Sequence, residues 1–147
     1  MQTAISPGAE DVQASGSVRV LVAADDVPAR LTLEAVLEKS GYAVDSAASS
    51  AEAMAKIESG QYALVLCNLH NESPNATPKI IRLARMQDYR PATAVLTTSS
   101  DRNFRLLDSD DVLIEPVEIA ALLTKIAELI GSRAVGRAHR AARRGVA

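Results

Sequence analysis

Residues 62–67, Tyr-Ala-Leu-Val-Leu-Cys, form an apolar run with no polar face. A strand of that kind has to be covered on both sides, and a parallel sheet sandwiched between helices meets the demand. The rest of the chain supplies the covers. Val18 to Ala23 is a second β-branched run, followed by Asp25, Asp26 and Pro28. Those are a capping acid and a proline suited to a first helical turn. Ala29, Leu33, Val36 and Leu37 then share one helical face, and Gly41 is expected to close that helix. Tyr42 to Ala47 alternates like a strand. Ser49 and Glu52 have capping-box spacing, opening a helix through Ala53, Met54 and Ile57 to Gly60.

After the central run, a polar loop from Asn68 to Ala76 leads to a helix over about Thr77 to Met86, with Ile80, Ile81, Leu83 and Ala84 apolar. Thr93 to Thr97 and Val112 to Ile114 read as a fourth and a fifth strand. Pro116 opens a last helix whose stripe is Ile119, Leu122, Leu123, Ile126, Leu129 and Ile130, with Gly131 as its expected end. Strand and helix therefore alternate, which implies a doubly wound α/β sandwich with a parallel sheet. Ligands of such sheets gather at the carboxyl ends of the strands. Here those ends carry Asp25 and Asp26, Asn68, Thr97 and Glu115.

A chain of 147 residues suits one domain with a moderate core. No apolar run approaches the roughly 18 residues of a membrane span. The amino-terminal residues lack the basic start and apolar stretch of a secretory signal. Cys67 is the one cysteine, so no internal disulfide forms, and a reducing, cytoplasmic setting is expected. Net charge is −2, unevenly spread. Residues 133–147 hold five arginines and no acid, while residues 1–132 hold 11 basic and 18 acidic side chains, a net −7.

Several segments, in order, resemble the response-regulator receiver family. Leu21-Val-Ala-Ala-Asp25-Asp26-Val-Pro28-Ala-Arg30 resembles its first strand and acidic turn. Gly41-Tyr42-Ala-Val44 resembles the approach to strand two. Tyr62 to Asn68 resembles strand three, whose last position in the family is the phosphorylated aspartate. Ala94-Val-Leu-Thr97 resembles strand four, ending in the hydroxyl residue. Val112-Leu-Ile-Glu115-Pro116 resembles strand five with its lysine-proline pair. The likeness covers roughly residues 18–131 and implies a CheY-like, flavodoxin-like fold in two-component (phosphorelay) signal transduction.

The same residues depart from receiver chemistry. Asn68 replaces the nucleophilic carboxylate, and Glu115 reverses the charge of the lysine. Without gaps, the first acid of the magnesium-holding pair falls on Ala24 and the second on Asp25. The other register places the pair at Asp25 and Asp26. The gapless one keeps Arg30, Leu33 and Leu37 in helical step with the family pattern. Thr97 survives. The aromatic switch position falls on Val112, which has no ring. Unit charges about 4 Å apart interact by roughly 4 kcal/mol at an effective dielectric near 20. A sign reversal at residue 115 is therefore a large change.

Other residues invite chemistry less well. Asp25 and Asp26 are candidate ligands for a magnesium ion, held largely through water. Cys67 and His70 have half a zinc spacing but no second Cys/His pair in the folded region. Asn68-Leu-His70-Asn-Glu-Ser73 shares only its histidine with the Asp-x-His-x-x-Gly motif of cobalamin-binding domains, and it follows the wrong strand. Thr98, Ser99 and Ser100 lack a nearby histidine and a nucleophile elbow, and read as turn hydroxyls.

The sequence thus predicts a doubly wound five-stranded parallel sheet in a flavodoxin-like three-layer sandwich with a shortened fourth helix. Residues 1–17 are expected to be a flexible leader, 18–131 the receiver-like domain and 132–147 a basic, disordered tail. The expected role is a degenerate pseudo-receiver: a phosphorylation-independent, non-enzymatic binding module without a cofactor beyond weakly held magnesium. Expected partners are a histidine kinase, another regulator, or a second copy through the face from the fourth strand to the last helix. Nucleic acid is expected only through Arg133 to Arg144, and no membrane contact is expected. The alternative is a flavodoxin-like metal- or metabolite-binding domain, or a small enzyme, using the same crevice.

Overall fold

The computed structural model describes residues 18–73, 75–97, 111–114 and 118–146. The leader, the hydroxyls Thr98, Ser99 and Ser100, the shortened fourth helix, Glu115 and Pro116 lie outside the described residues. The described elements are β1 (Arg19–Ala24), α1 (Val27–Lys39), β2 (Ala43–Ala47), α2 (Ser50–Ser59), β3 (Leu64–Asn68), α3 (Ala76–Arg85), β4 (Ala92–Thr97), β5 (Asp111–Ile114) and α4 (Ile119–Val146). The strands lie in the order β2-β1-β3-β4-β5, and every neighbouring pair is parallel.

Period-two alternation sorts the core onto two faces. Val20, Val22, Leu64, Leu66, Ala94 and Leu96 pack with Leu33 and Leu37 of α1 and Leu122 and Ile126 of α4. Leu21, Ala23, Val65, Cys67 and Val95 pack with Ala53 and Ile57 of α2 and Ile80, Ile81 and Ala84 of α3. Each fully buried Leu or Ile stabilises the sandwich by about 1.5–3 kcal/mol. The apolar run that predicts a two-sided strand is β3, with all five residues buried.

The helix ends follow local chemistry. Asp26 caps α1, its Oδ2 accepting from the Ala29 amide at 3.0 Å. Gly41 leaves α1 with φ of 101°, a left-handed conformation that favours glycine. Ser49 caps α2 by accepting from the Glu52 amide at 3.2 Å. The return arm of this capping box is displaced by one residue, since Glu52 Oε1 accepts from Ala48 N at 2.8 Å. That bond holds the Glu52 carboxyl below its ordinary range.

Two expectations are corrected. Asn68 is the last residue of β3, and the loop begins after it. Hydrogen-bonded register with Ala24 extends the strand by that residue. The last helix does not end at Gly131, and the tail expected to be disordered is helical to Val146. Gly131 lacks the positive φ of a left-handed cap. A helical glycine costs only about 1 kcal/mol relative to alanine. The Ala- and Arg-rich residues beyond it favour helix, and no proline intervenes. No described helix is long and apolar enough to cross a membrane.

Candidate functional site

The chain order reverses between β1 and β3. From β1 the chain runs outward to β2, then returns to β3 on the other side of β1. At such a switch point the loops leaving the two strands part and open a crevice at their carboxyl ends. Ala24 and Asn68 are paired at this edge. Thr97 ends β4 in register with Ile114 of β5, and Val112 sits opposite Val95. The folded chain thus brings Ala24, Asp25, Asn68 and Thr97 to one rim, with Asp26 a step further on at the start of α1.

The two acids of the turn do different work. The Asp26 side chain is committed to the N-cap of α1. The Asp25 carboxylate turns to the loop after β3, where both of its oxygens accept from His70 N, at 3.0 and 3.1 Å. Oδ2 also accepts from Asn71 N at 2.6 Å. Charge-assisted bonds of this kind are stronger than neutral ones. Arg30 reaches back from α1, and its Nη1 donates to Ala24 O at 2.9 Å. Its Nε stands 4.0 Å from Glu34. A guanidinium therefore sits beneath the carboxyl end of β1.

Asn68 is 2% exposed, and its Oδ1 is buried without a hydrogen-bond partner among the described residues. Leaving a buried acceptor unpaired costs about 1–3 kcal/mol. Cys67, one residue earlier, points to the opposite face, where burial pushes its thiol up to about 12. His70 stands in the exposed loop, so the two residues with half a zinc spacing face different surroundings.

Magnesium does not fit these residues. Ala24 brings no carboxylate, Asn68 brings no charge, and Asp25 already accepts amides through both oxygens. Among the described residues no group of three or more His, Cys, Asp or Glu side chains is placed to hold a metal.

Sequence reading did not assign a role to Glu72. Its carboxylate accepts from the Ser50 amide at 2.7 Å and from the Ser50 hydroxyl at 2.6 Å. With Asp25 it fastens the loop after β3 at two points, one in the turn after β1 and one on the N-terminus of α2. The partners lie 22 residues apart, so no local spacing announces them. Asp25 is separated from His70 by 45.

No family model and no curated protein matches the sequence. Solved structures match the fold. The CheY-like receiver domain protein of Methanospirillum hungatei aligns with a TM-score of 0.75 at 22% identity, over 82% of this chain and 98% of that one. Chemotaxis protein CheY4 of Vibrio cholerae gives 0.68 at 21%, over 77% and 98%. The receiver domain of the Pseudomonas aeruginosa sensor histidine kinase PA1611 gives 0.69 at 23%, over 78% and 98%, and that structure has a magnesium ion coordinated in its active-site cleft.

Proposed function

From a chain with the fold of CheY-like receiver domains, we propose a phosphorylation-independent protein-interaction module of two-component signalling, non-enzymatic and acting in the cytoplasm. The observation that carries the reading is Asn68. It occupies the end of β3, buried, with its side-chain oxygen unpaired among the described residues and no negative charge to attack phosphorus. An amide nitrogen, its lone pair delocalised into the carbonyl, is no substitute.

The surroundings support the reading. Ala24 pairs with Asn68 in the sheet and Asp26 caps a helix. That favours the register in which Ala24 and Asp25 stand for the acidic pair. Asp25 is then the surviving acid, and it serves the loop backbone rather than a metal. Glu115 follows β5 in the chain, where the resemblance places a lysine. The reading includes the five-stranded sandwich with its shortened fourth helix. It takes as partner a histidine kinase, another regulator, or a second copy docking through β4 and α4.

The test is incubation with labelled acetyl phosphate and magnesium. The chain is expected to stay unlabelled. A stoichiometric, base-labile label on an aspartate would refute the reading. Asn68→Asp alone is expected to label poorly, and Asn68→Asp with Glu115→Lys better, because the second change restores the lysine that the resemblance implies after β5.

A further inference from the structure

Beyond residue 132, α4 continues as a helix through a segment of five arginines and no acid. Arg133, Arg137, Arg140 and Arg144 recur at steps of four, three and four. At about 100° per residue they fall within roughly 60° of one another around the axis, along ~16 Å of its length. Arg143 flanks this stripe. The other positions of the segment are Ala, Val and Gly, with His139. No Asp or Glu lies three or four residues from any of these arginines, so helical spacing offers them no acid of their own segment. The earlier part of the helix differs, for there Lys125 meets Glu128 at 3.3 Å. A helix with one row of like charge is relieved by a polyanion that neutralises the whole row.

We propose that this helical arginine stripe docks on the phosphate backbone of a nucleic-acid duplex, without sequence preference. The composition selects this occupant. Single strands are gripped by stacking on aromatic rings, and the segment has none. Lying in a membrane surface needs large apolar side chains opposite the charges, and Val135 and Val146 are the only ones here. A duplex requires just a line of cations. It presents a charge every ~1.7 Å of axis, roughly ten along the length of this stripe. A helix about 10–12 Å across also suits a major groove about 12 Å wide. The net −7 of residues 1–132 repels the polyanion and confines contact to the helix.

The experiment titrates the full chain into a fluorescent 25-base-pair duplex between about 50 and 200 mM salt. Four neutralised phosphates give a slope of log K against log salt near −3.6, a loss of roughly 10²-fold over that range. Changing Arg133, Arg137, Arg140 and Arg144 to Gln together is expected to remove the salt-dependent binding. The decisive variant keeps the charge and moves it off the stripe: Arg137→Ala with Ala138→Arg. It is expected to lower the slope magnitude by about 1 and the affinity at 50 mM roughly tenfold, with unchanged far-ultraviolet circular dichroism. Any of three results overturns the proposal: no association at 50 mM, equal binding by the relocated variant, or tighter binding to polyglutamate or anionic phosphatidylserine vesicles than to the duplex.

Discussion

Two polar clusters depend on the same central strands and are balanced differently. Toward the start of β1, Arg19 Nη2 meets Asp45 Oδ2 at 2.7 Å, and the Tyr62 hydroxyl donates to the same oxygen at 2.8 Å. The guanidinium also stands 5.9 Å from the centre of the Tyr62 ring. Burial works to raise the Asp45 carboxyl, but the bonds from Tyr62 and Arg19 outweigh it and hold it below its ordinary value. At the carboxyl end of β3, Asn68 keeps a buried acceptor with no donor among the described residues. The fold satisfies its polar groups where only architecture is at stake. It leaves one unsatisfied at the edge where sheets of this class keep their chemistry. Among the described residues, the contrast sets residue 68 apart from the balanced cluster.

The largest test of the contrast is Asn68→Asp. A buried carboxylate without a cation is expected to cost about 3 kcal/mol or more at neutral pH. Burial and nearby Asp25 raise the folded pKa of the new acid above its unfolded value. The cost is therefore small below the unfolded carboxylate range and grows as pH rises through it. Urea unfolding at pH 4 and pH 7 measures this, and equal stability of variant and parent at pH 7 would erase the distinction between the two clusters.

Asp25→Ala comes next. It frees the His70 and Asn71 amides, and a loss of about 1–2 kcal/mol is expected, less than for buried charged bonds because the loop is exposed. Hydrogen exchange at those two amides should quicken well before global unfolding.

In the balanced cluster, Tyr62→Phe removes one neutral donor and is expected to cost about 1 kcal/mol. The depressed Asp45 carboxyl contributes stability above its unfolded pKa, lost as pH falls through the folded one. The variant lets that pKa rise, so its extra instability should be evident at pH 7 and shrink near pH 3. The intact Tyr62 hydroxyl is raised to about 12 by burial and by its bond to Asp45. Its contribution is full below the ordinary phenol value near 10 and fades as pH climbs through about 12.

The smallest expected effect has the opposite sign. Asn68→Leu replaces the unpaired amide with an apolar group of similar size and should gain about 0.5–1 kcal/mol. A gain at residue 68 beside a loss at residue 62 would state the contrast in one pair of measurements.

Much of this was legible in the chain. The double-faced run of residues 62–67, the Asp26 and Ser49 caps and the turn at Gly41 all report on neighbours within a few residues. Local sterics and hydrogen bonding set such features, so composition and spacing expose them. Asn68, as the residue standing where the resemblance expects an acid, was visible for the same reason. Gly131 does not mark the end of the last helix, because its weak local penalty is outweighed by the helix-forming residues beyond it.

The alternation, the two apolar faces of the sheet and the identity of the residue at the crevice are written in the chain. What that residue meets depends on the folded structure. It placed Asp25 on the amides of His70 and Asn71, Glu72 on Ser50, and Arg30 under Ala24, and it buried the Asn68 oxygen away from every hydrogen-bond donor among the described residues. Backbone periodicity is written one residue at a time, whereas hydrogen bonds across a strand switch join segments whose separation along the chain carries no signal.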